Sequence, residues 1–199
     1  MRWRVPRDWE GETVFLIGGG PSVSDVDLTR LHQQRVVVLN SSYLKYPNAD
    51  TLLFTDVRWW GKFKPVFKGE IVTITPVHKL YPDDIKVLDR QRSSGLSPDP
   101  TRLTCWHTSM TTAINLIALR GATRIAILGL DGEGLWHHDP YPLSWGRNRK
   151  RFYFHGEALK AQVDQLKIMG VQVYNLNPKS THEMFPFATL DEMLMRKAA

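Results

Sequence analysis

A chain of 199 residues with a formal net charge of +6, 42% hydrophobic residues and a single cysteine, Cys105, is long enough for one domain with a substantial core. One cysteine excludes an internal disulfide framework, no stretch approaches a membrane span, and no cationic-apolar-small leader opens the chain, so a reducing, cytoplasmic setting is expected. The positive charge bunches at MRWRVPR (1–7) and GRNRKR (146–151), which suit an anionic ligand or surface as well as they suit a solvated tail and loop.

The first predicted element is TVFLI (13–17), β-branched or aromatic at most positions and so expected as a buried parallel strand. GGGPSVSD follows. Gly18, Gly19 and Gly20 permit backbone angles closed to other residues and a close approach to the main chain, Pro21 stiffens the exit, and Ser22 or Ser24 is placed to cap a short helix through Leu31. Unpaired N–H groups at such a helix start suit a phosphate, although the spacing is neither the dinucleotide nor the P-loop fingerprint.

Further strands are predicted over 35–39, 51–54 and 70–74, with Asn40-Ser41-Ser42 after the first and Thr55-Asp56 after the second. In VRWWGKFK, a helix puts Val57, Trp60 and Lys64 on one face and Trp59 elsewhere, so one ring is expected in the core and the other is available to stack on a base or sugar. The serine-, proline- and arginine-rich stretch 89–103 reads as a long loop.

The clearest helix covers 109–120, with Met110, Ala113, Ile114, Ile117 and Ala118 on one face and Gly121 as its stop. A strand over 124–128 leads to Gly129-Leu130-Asp131. A second loop, 132–151, carries hinge-like glycines and the aromatics Trp136, Tyr141 and Trp145, and is expected to act as a lid. A helix over 155–169 and a strand over 171–176 complete the pattern, with Asn175 and Asn177 at its end.

This alternation predicts one α/β domain over 1–199, a doubly wound, mostly parallel, Rossmann-like sheet. Polar residues gather after nearly every strand, where ligands of such sheets lie.

Four blocks, GGGPSVSDVDLTRL, VVVLNSSYL, TSMTTAINLIALRGATRIAILGLD and FHGEALKAQVDQLKIMGVQVYNLNPKS, resemble in order the nucleotide-binding core of bacterial lipooligosaccharide sialyltransferases. They also resemble a related superfamily typified by an archaeal hydroxymethyl-dihydropterin pyrophosphokinase, with relatives in flagellin glycosylation. The first resemblance implies a glycosyltransferase that uses a cytidine-nucleotide sugar, with Gly18 to Ser22, Asn40, Thr108 and Ser109 holding the cytidine monophosphate. Thr55, Asp56 and Asp131 line the same strand ends, and His155 matches the general base that takes a proton from an acceptor hydroxyl.

The family turn carries asparagine where this chain has Gly19, its arginine before the threonine-serine is replaced by Trp106, and its two leaving-group tyrosines have no match. His137, His138, Tyr141 and Arg147 are the available substitutes as leaving-group stabilisers. The implied partners are a nucleotide-sugar donor and a hydroxyl acceptor, whether glycan, lipid-linked glycan or modified nucleic acid; self-association stays open. No cofactor is obligatory.

The second resemblance implies phosphoryl or pyrophosphoryl transfer with Mg²⁺ carried by the nucleotide and touched by Asp56 and Asp131, His155 being structural. Adjacent His137 and His138 lack zinc-like spacing, so no protein-held metal is expected. A non-catalytic nucleotide- or nucleic-acid-binding module, using GRNRKR on phosphates, is the third reading.

Overall fold

The computed structural model describes residues 3–74, 81–133 and 149–195, with the backbone alone described over 149–152. Eight parallel strands form one open sheet in the order β6-β5-β4-β3-β2-β1-β7-β8. They are β1 (Thr13–Ile17), β2 (Arg35–Leu39), β3 (Thr51–Phe54), β4 (Glu70–Ile74), β5 (Lys86–Gln91), β6 (Arg102–Thr104), β7 (Arg124–Leu128) and β8 (Gln172–Asn175). The expected α/β Rossmann-like sheet is present.

Alternation along the strands builds two cores. Val14 and Leu16 of β1, Val37 and Leu39 of β2 and Leu53 of β3 face one side, where α2 (Ser109–Leu119), α3 (Arg149–Lys160) and α4 (Val163–Ile168) pack. Phe15, Ile17, Val36, Val38, Leu52 and Phe54 face the other, under α1 (Val57–Phe63) and α5 (Leu190–Met195). Both faces are buried, which is why these strands read as continuous apolar runs.

Several boundaries depart from expectation. The stretch 89–103 is not all loop: β5 runs to Gln91 and β6 starts at Arg102. What lies between is pinned by buried amides. Asn115 on α2 accepts from the Ser97 and Thr104 N–H groups at 2.9 and 3.0 Å and donates to the Ser97 carbonyl at 3.0 Å, and Gln162 donates to the Gly95 carbonyl at 2.9 Å. The helix expected over 155–169 begins earlier, at Arg149, and divides between Lys160 and Val163 into α3 and α4. His155 is therefore inside a helix rather than at its start, and the expected lid over 132–151 ends in helical backbone.

Trp59, not Trp60, is the core ring of α1: it is 1% exposed and donates its indole N–H to Ser41 Oγ at 2.9 Å. Trp60 is half-buried and stacked on Phe54, with centroids 5.3 Å apart. Trp59 is thus closed to a base or sugar, and Trp60 already spends one face on Phe54.

At the N-terminal edge of the strands, the Arg120 guanidinium pairs with Asp8 and Glu70, each at 2.7 Å, and lies 3.8 Å from the centre of the Trp9 ring. A cleft of about 480 Å³ opens beside it. This cleft lies at the far edge from the loops that follow the strands.

Candidate functional site

The chain runs outward from β1 to β6, then crosses back over the sheet through α2 to lay β7 on the other side of β1. The direction of winding reverses between β1 and β7, so the two loops leaving them diverge, and a crevice forms beyond their carboxyl ends. The glycine-rich turn sits at this point. Gly18 N–H donates to the Leu128 carbonyl at 2.8 Å and Gly20 N–H to the Gly129 carbonyl at 3.0 Å.

The glycines serve close approach rather than unusual backbone angles. None of Gly18, Gly19 and Gly20 is left-handed; the positive φ falls across the crevice, at Gly129 (74°). A Cβ on Gly18 would stand 2.7 Å from Met110 Cε, and one on Gly20 would stand 2.6 Å from the Gly129 carbonyl oxygen and press on the Asp131 carboxylate. The expected helix through Leu31 is instead two short 3-10 turns, Pro21–Asp25 and Leu28–Leu31. Gly20 occupies the first cap position and, having no side chain, makes no side-chain cap bond, while the Ser22 hydroxyl inside the turn is used elsewhere.

Its partner is Asp131, 7% exposed at the end of β7. Ser22 donates its N–H to Oδ2 at 3.0 Å and its hydroxyl to Oδ1 at 2.5 Å, while Asn177, beyond β8, donates its amide to Oδ1 at 2.5 Å. The Asp131 carbonyl accepts from Thr181 N–H at 3.0 Å. One residue thus ties together the segments leaving β1, β7 and β8.

Asn40 opens a 3-10 turn after β2 in the left-handed region, at φ 47°, a conformation asparagine tolerates better than most residues. Two residues on, the buried Ser42 hydroxyl donates to the Gly18 carbonyl at 2.8 Å and holds the glycine turn from below. From β3, Thr55 Oγ1 meets Ser109 Oγ at 2.6 Å, joining that strand end to the first turn of α2. Thr108 caps α2 by accepting from Met110 N–H at 3.3 Å. Both hydroxyls expected at a phosphate therefore already have protein partners, which fix where the α2 start points.

Asp56 is turned to other work. It caps α1 through Arg58 N–H at 2.9 Å, and its two oxygens take the Arg58 guanidinium at 3.0 and 2.7 Å. The order β3-β2-β1-β7 sets the exits carrying Asp56 and Asp131 three strand spacings apart, about 14 Å, too far for one cation to bridge. The structure does not bring this pair together.

His155 lies half-buried on α3. Its neighbour Phe154 stacks on His107, with centroids 5.1 Å apart and planes at 19°. His107 immediately precedes the α2 cap and has φ 60°, a strained angle for a residue with a Cβ. The stack holds the middle of α3, the helix that carries His155, against the residue before the Thr108 cap of α2. His137, His138, Tyr141 and Arg147 lie outside the described residues, as do residues 134–148 of the expected lid over 132–151.

Sequence reasoning missed His182. Its ring is wedged between two glycines: a Cβ on Gly156 would stand 3.2 Å from Nδ1, and one on Gly132 3.2 Å from Nε2. Burial pushes its pKa below the ordinary histidine value, favouring the neutral ring. The only sequence signal was that a glycine directly follows each of Asp131 and His155; the partner filling that space lay far along the chain.

No helix among the described residues is long and apolar enough to cross a membrane, and no group of three or more metal-ligating side chains gathers among them. No protein-family model matches the chain, and no curated protein matches it in sequence. In three dimensions it is similar to the sialyltransferase CST-II, solved in complex with a trisaccharide acceptor and CMP, with a TM-score of 0.57 over 89% of this chain and 86% of that one. The two share 14% identity, so the likeness is one of architecture: this chain has a sialyltransferase-like α/β fold.

Proposed function

We propose that the chain is a glycosyltransferase that moves a sugar from a cytidine-nucleotide donor to a hydroxyl acceptor. The observation that supports the reading is the convergence, near the winding-reversal point, of the Gly18–Ser22 turn, Asn40, the Thr55–Ser109 pair and Asp131 on one sheet edge, with α3, the helix that carries His155, held against the start of α2 by the Phe154–His107 stack. The fold shared with an enzyme solved with CMP and a trisaccharide supports the choice of donor and of a glycan as acceptor.

In this reading the main chain of the glycine turn and the start of α2 receive the nucleotide phosphate, where N–H dipoles offset its charge. His155 accepts the proton of the acceptor hydroxyl. That oxygen forms the new bond to the anomeric carbon as the carbon–oxygen bond to the nucleotide phosphate breaks, and cytidine monophosphate leaves with the electron pair. Asp131 positions the turn and touches no reacting atom.

The test pairs calorimetry with turnover. Titration with CMP, AMP and GMP is expected to show preference for CMP, and equal or absent binding removes the donor assignment. With a CMP-sugar donor and a glycan acceptor, His155→Ala is expected to lower kcat by about a hundredfold or more while leaving CMP affinity within about twofold. Transfer that survives the substitution removes His155 as base. Chelator is expected to leave transfer unchanged, because Asp131 and Asp56 already spend their oxygens on protein donors. Loss on chelation, restored by magnesium, points to phosphoryl transfer instead.

A further inference from the structure

The α2–α3 junction carries a row of rings that the nucleotide reading does not use. Trp106 meets His107 edge-on at 4.9 Å, His107 stacks on Phe154 at 5.1 Å, and Phe154 meets Tyr153 edge-on at 5.7 Å. Burial does not explain the row, since Trp106, Phe154 and Tyr153 are 39%, 45% and 64% exposed and His107 is exposed as well. His107 is the centre of a tight three-residue turn, with φ 60° and the Thr108 N–H donating to the Trp106 carbonyl at 2.8 Å, and this uncommon turn presents its ring to Phe154 in the open rather than to the core. Four contiguous exposed rings, one of them presented by a tight turn, form a surface suited to a ligand.

The ligand chemistry follows from the rings. Indole, imidazole and phenol combine apolar faces with polar edges, and Trp106, His107, Tyr153 and Phe154 include no carboxylate or permanent cation. A neutral pyranose has the complementary form: a C–H face to lie on a ring and a rim of hydroxyls for the polar edges and water. A nucleobase anchored by a phosphate at the start of α2 has the turns of β1 and β2 at hand, where the glycine loop is held by Ser42. The ring row instead extends from α2 along α3, past the residue next to His155.

We infer that Trp106, His107, Phe154 and Tyr153 form the acceptor subsite, a platform for a neutral hexopyranose ring whose hydroxyl is presented to His155. This rests on the glycosyltransferase reading above. The row begins at Trp106, directly before the His107-Thr108-Ser109 segment, so one short stretch of chain serves the platform at one end and the proposed phosphate site at the other.

The probes are methyl β-galactopyranoside and lactose, observed by saturation-transfer NMR on the full chain, with CMP titrated separately by calorimetry. Saturation is expected to reach the sugar C–H protons. Trp106→Ala and Phe154→Ala are each expected to weaken sugar binding by about fivefold to tenfold, with Trp106→Phe retaining most of it and CMP affinity unchanged within about twofold. Thermal melting identifies any variant that fails to fold, and the exposed Tyr153→Ala supplies a variant less able to disturb packing.

Absence of transfer to both sugars, or transfer unchanged in Trp106→Ala, Phe154→Ala and Tyr153→Ala, overturns the subsite. So does a fall in CMP affinity without a fall in sugar binding, which assigns the row to the nucleobase. Failure of CMP to bind the unaltered protein while the ring-dependent sugar signal persists overturns the donor reading alone, so the two failures are distinguishable.

Discussion

Ser22 and Asp131 stand 109 residues apart in the chain and are joined by two hydrogen bonds, one from the Ser22 N–H and one, at 2.5 Å, from its hydroxyl. With Asn177 as third donor, the segments leaving the neighbouring strands β1, β7 and β8 are all referred to one buried carboxylate. Removing it strands three donors. Asp131→Ala is expected to destabilise the protein by about 3 kcal/mol and to weaken CMP binding at least tenfold, whereas Ser22→Ala costs about 1.5 kcal/mol. Asp131→Asn is not a rescue, because its amide nitrogen faces one of the donors. Urea denaturation and calorimetry on the three variants check this order, and an Asn variant of full stability contradicts the arrangement.

Gly20→Ala tests the crevice itself. The added Cβ meets the Gly129 carbonyl oxygen at 2.6 Å, a backbone atom that cannot rotate away, as well as the Asp131 carboxylate. We expect a loss of about 1–3 kcal/mol and a fall in CMP affinity larger than that of Ser22→Ala, since the turn must move bodily. Gly61→Ala, inside α1 where a Cβ meets nothing within 4 Å, is the control: it should leave CMP affinity unchanged and, alanine being the better helix former, raise stability by up to about 1 kcal/mol.

His182 gives the site an acid limit. Its folded pKa is depressed by burial, so the unfolded chain binds a proton more readily than the folded one in the window just below the ordinary value of 6.5. The sign follows: stability is fully present above that value and falls as pH drops through the folded pKa. His182→Gln is expected to flatten this part of the stability–pH curve, measured by urea denaturation at a series of pH values. The same slope in the variant removes His182 as its source.

Much of this was legible in the sequence where burial alone decides. Runs such as TVFLI, RVVVL and RIAIL are apolar on both faces because both faces of the sheet are covered, and β1, β2, β3, β4 and β7 fall where such runs predict. β5 was not legible: KVLDRQ buries only part of its length near the sheet edge, and its charges read as loop. The start of α3 was hidden by RKR, a basic run with no apolar periodicity.

The glycine-proline-serine turn is visible as a break in an apolar run, and of the two reasons expected for its glycines, close approach to the main chain applies while unusual backbone angles do not. Its tightness comes from Gly129 and Asp131, more than a hundred residues later. Ser42 and Asn177 were visible only as polar residues after strands, and His182 not at all, because each acquires its role from a partner brought close by the sheet order.

Arg120 provides the counter-case, a network that sets stability and not the site. Its side chain is 7% exposed at the N-terminal edge of the sheet, and its two carboxylate partners differ: Glu70 is largely covered, at 24%, while Asp8 is 45% exposed. Arg120→Met leaves Glu70 partly buried without its cation and removes the charge from the Trp9 face, so a loss of about 3 kcal/mol is expected, less than a fully buried pair because water screens Asp8. The pH signature is specific. The hydrogen bond from Arg120 holds the Asp8 carboxyl below its usual value of 3.8, so its share of stability is present above that value and lost as pH falls through the lower folded pKa. Arg120→Met is therefore expected to reduce the acid sensitivity below about pH 4 while leaving CMP affinity within about twofold, because the crevice lies at the opposite edge of the same strands. Denaturation across that pH range, with CMP titration at neutral pH, reads both; a variant that keeps its stability but loses CMP binding reverses the assignment of the two edges.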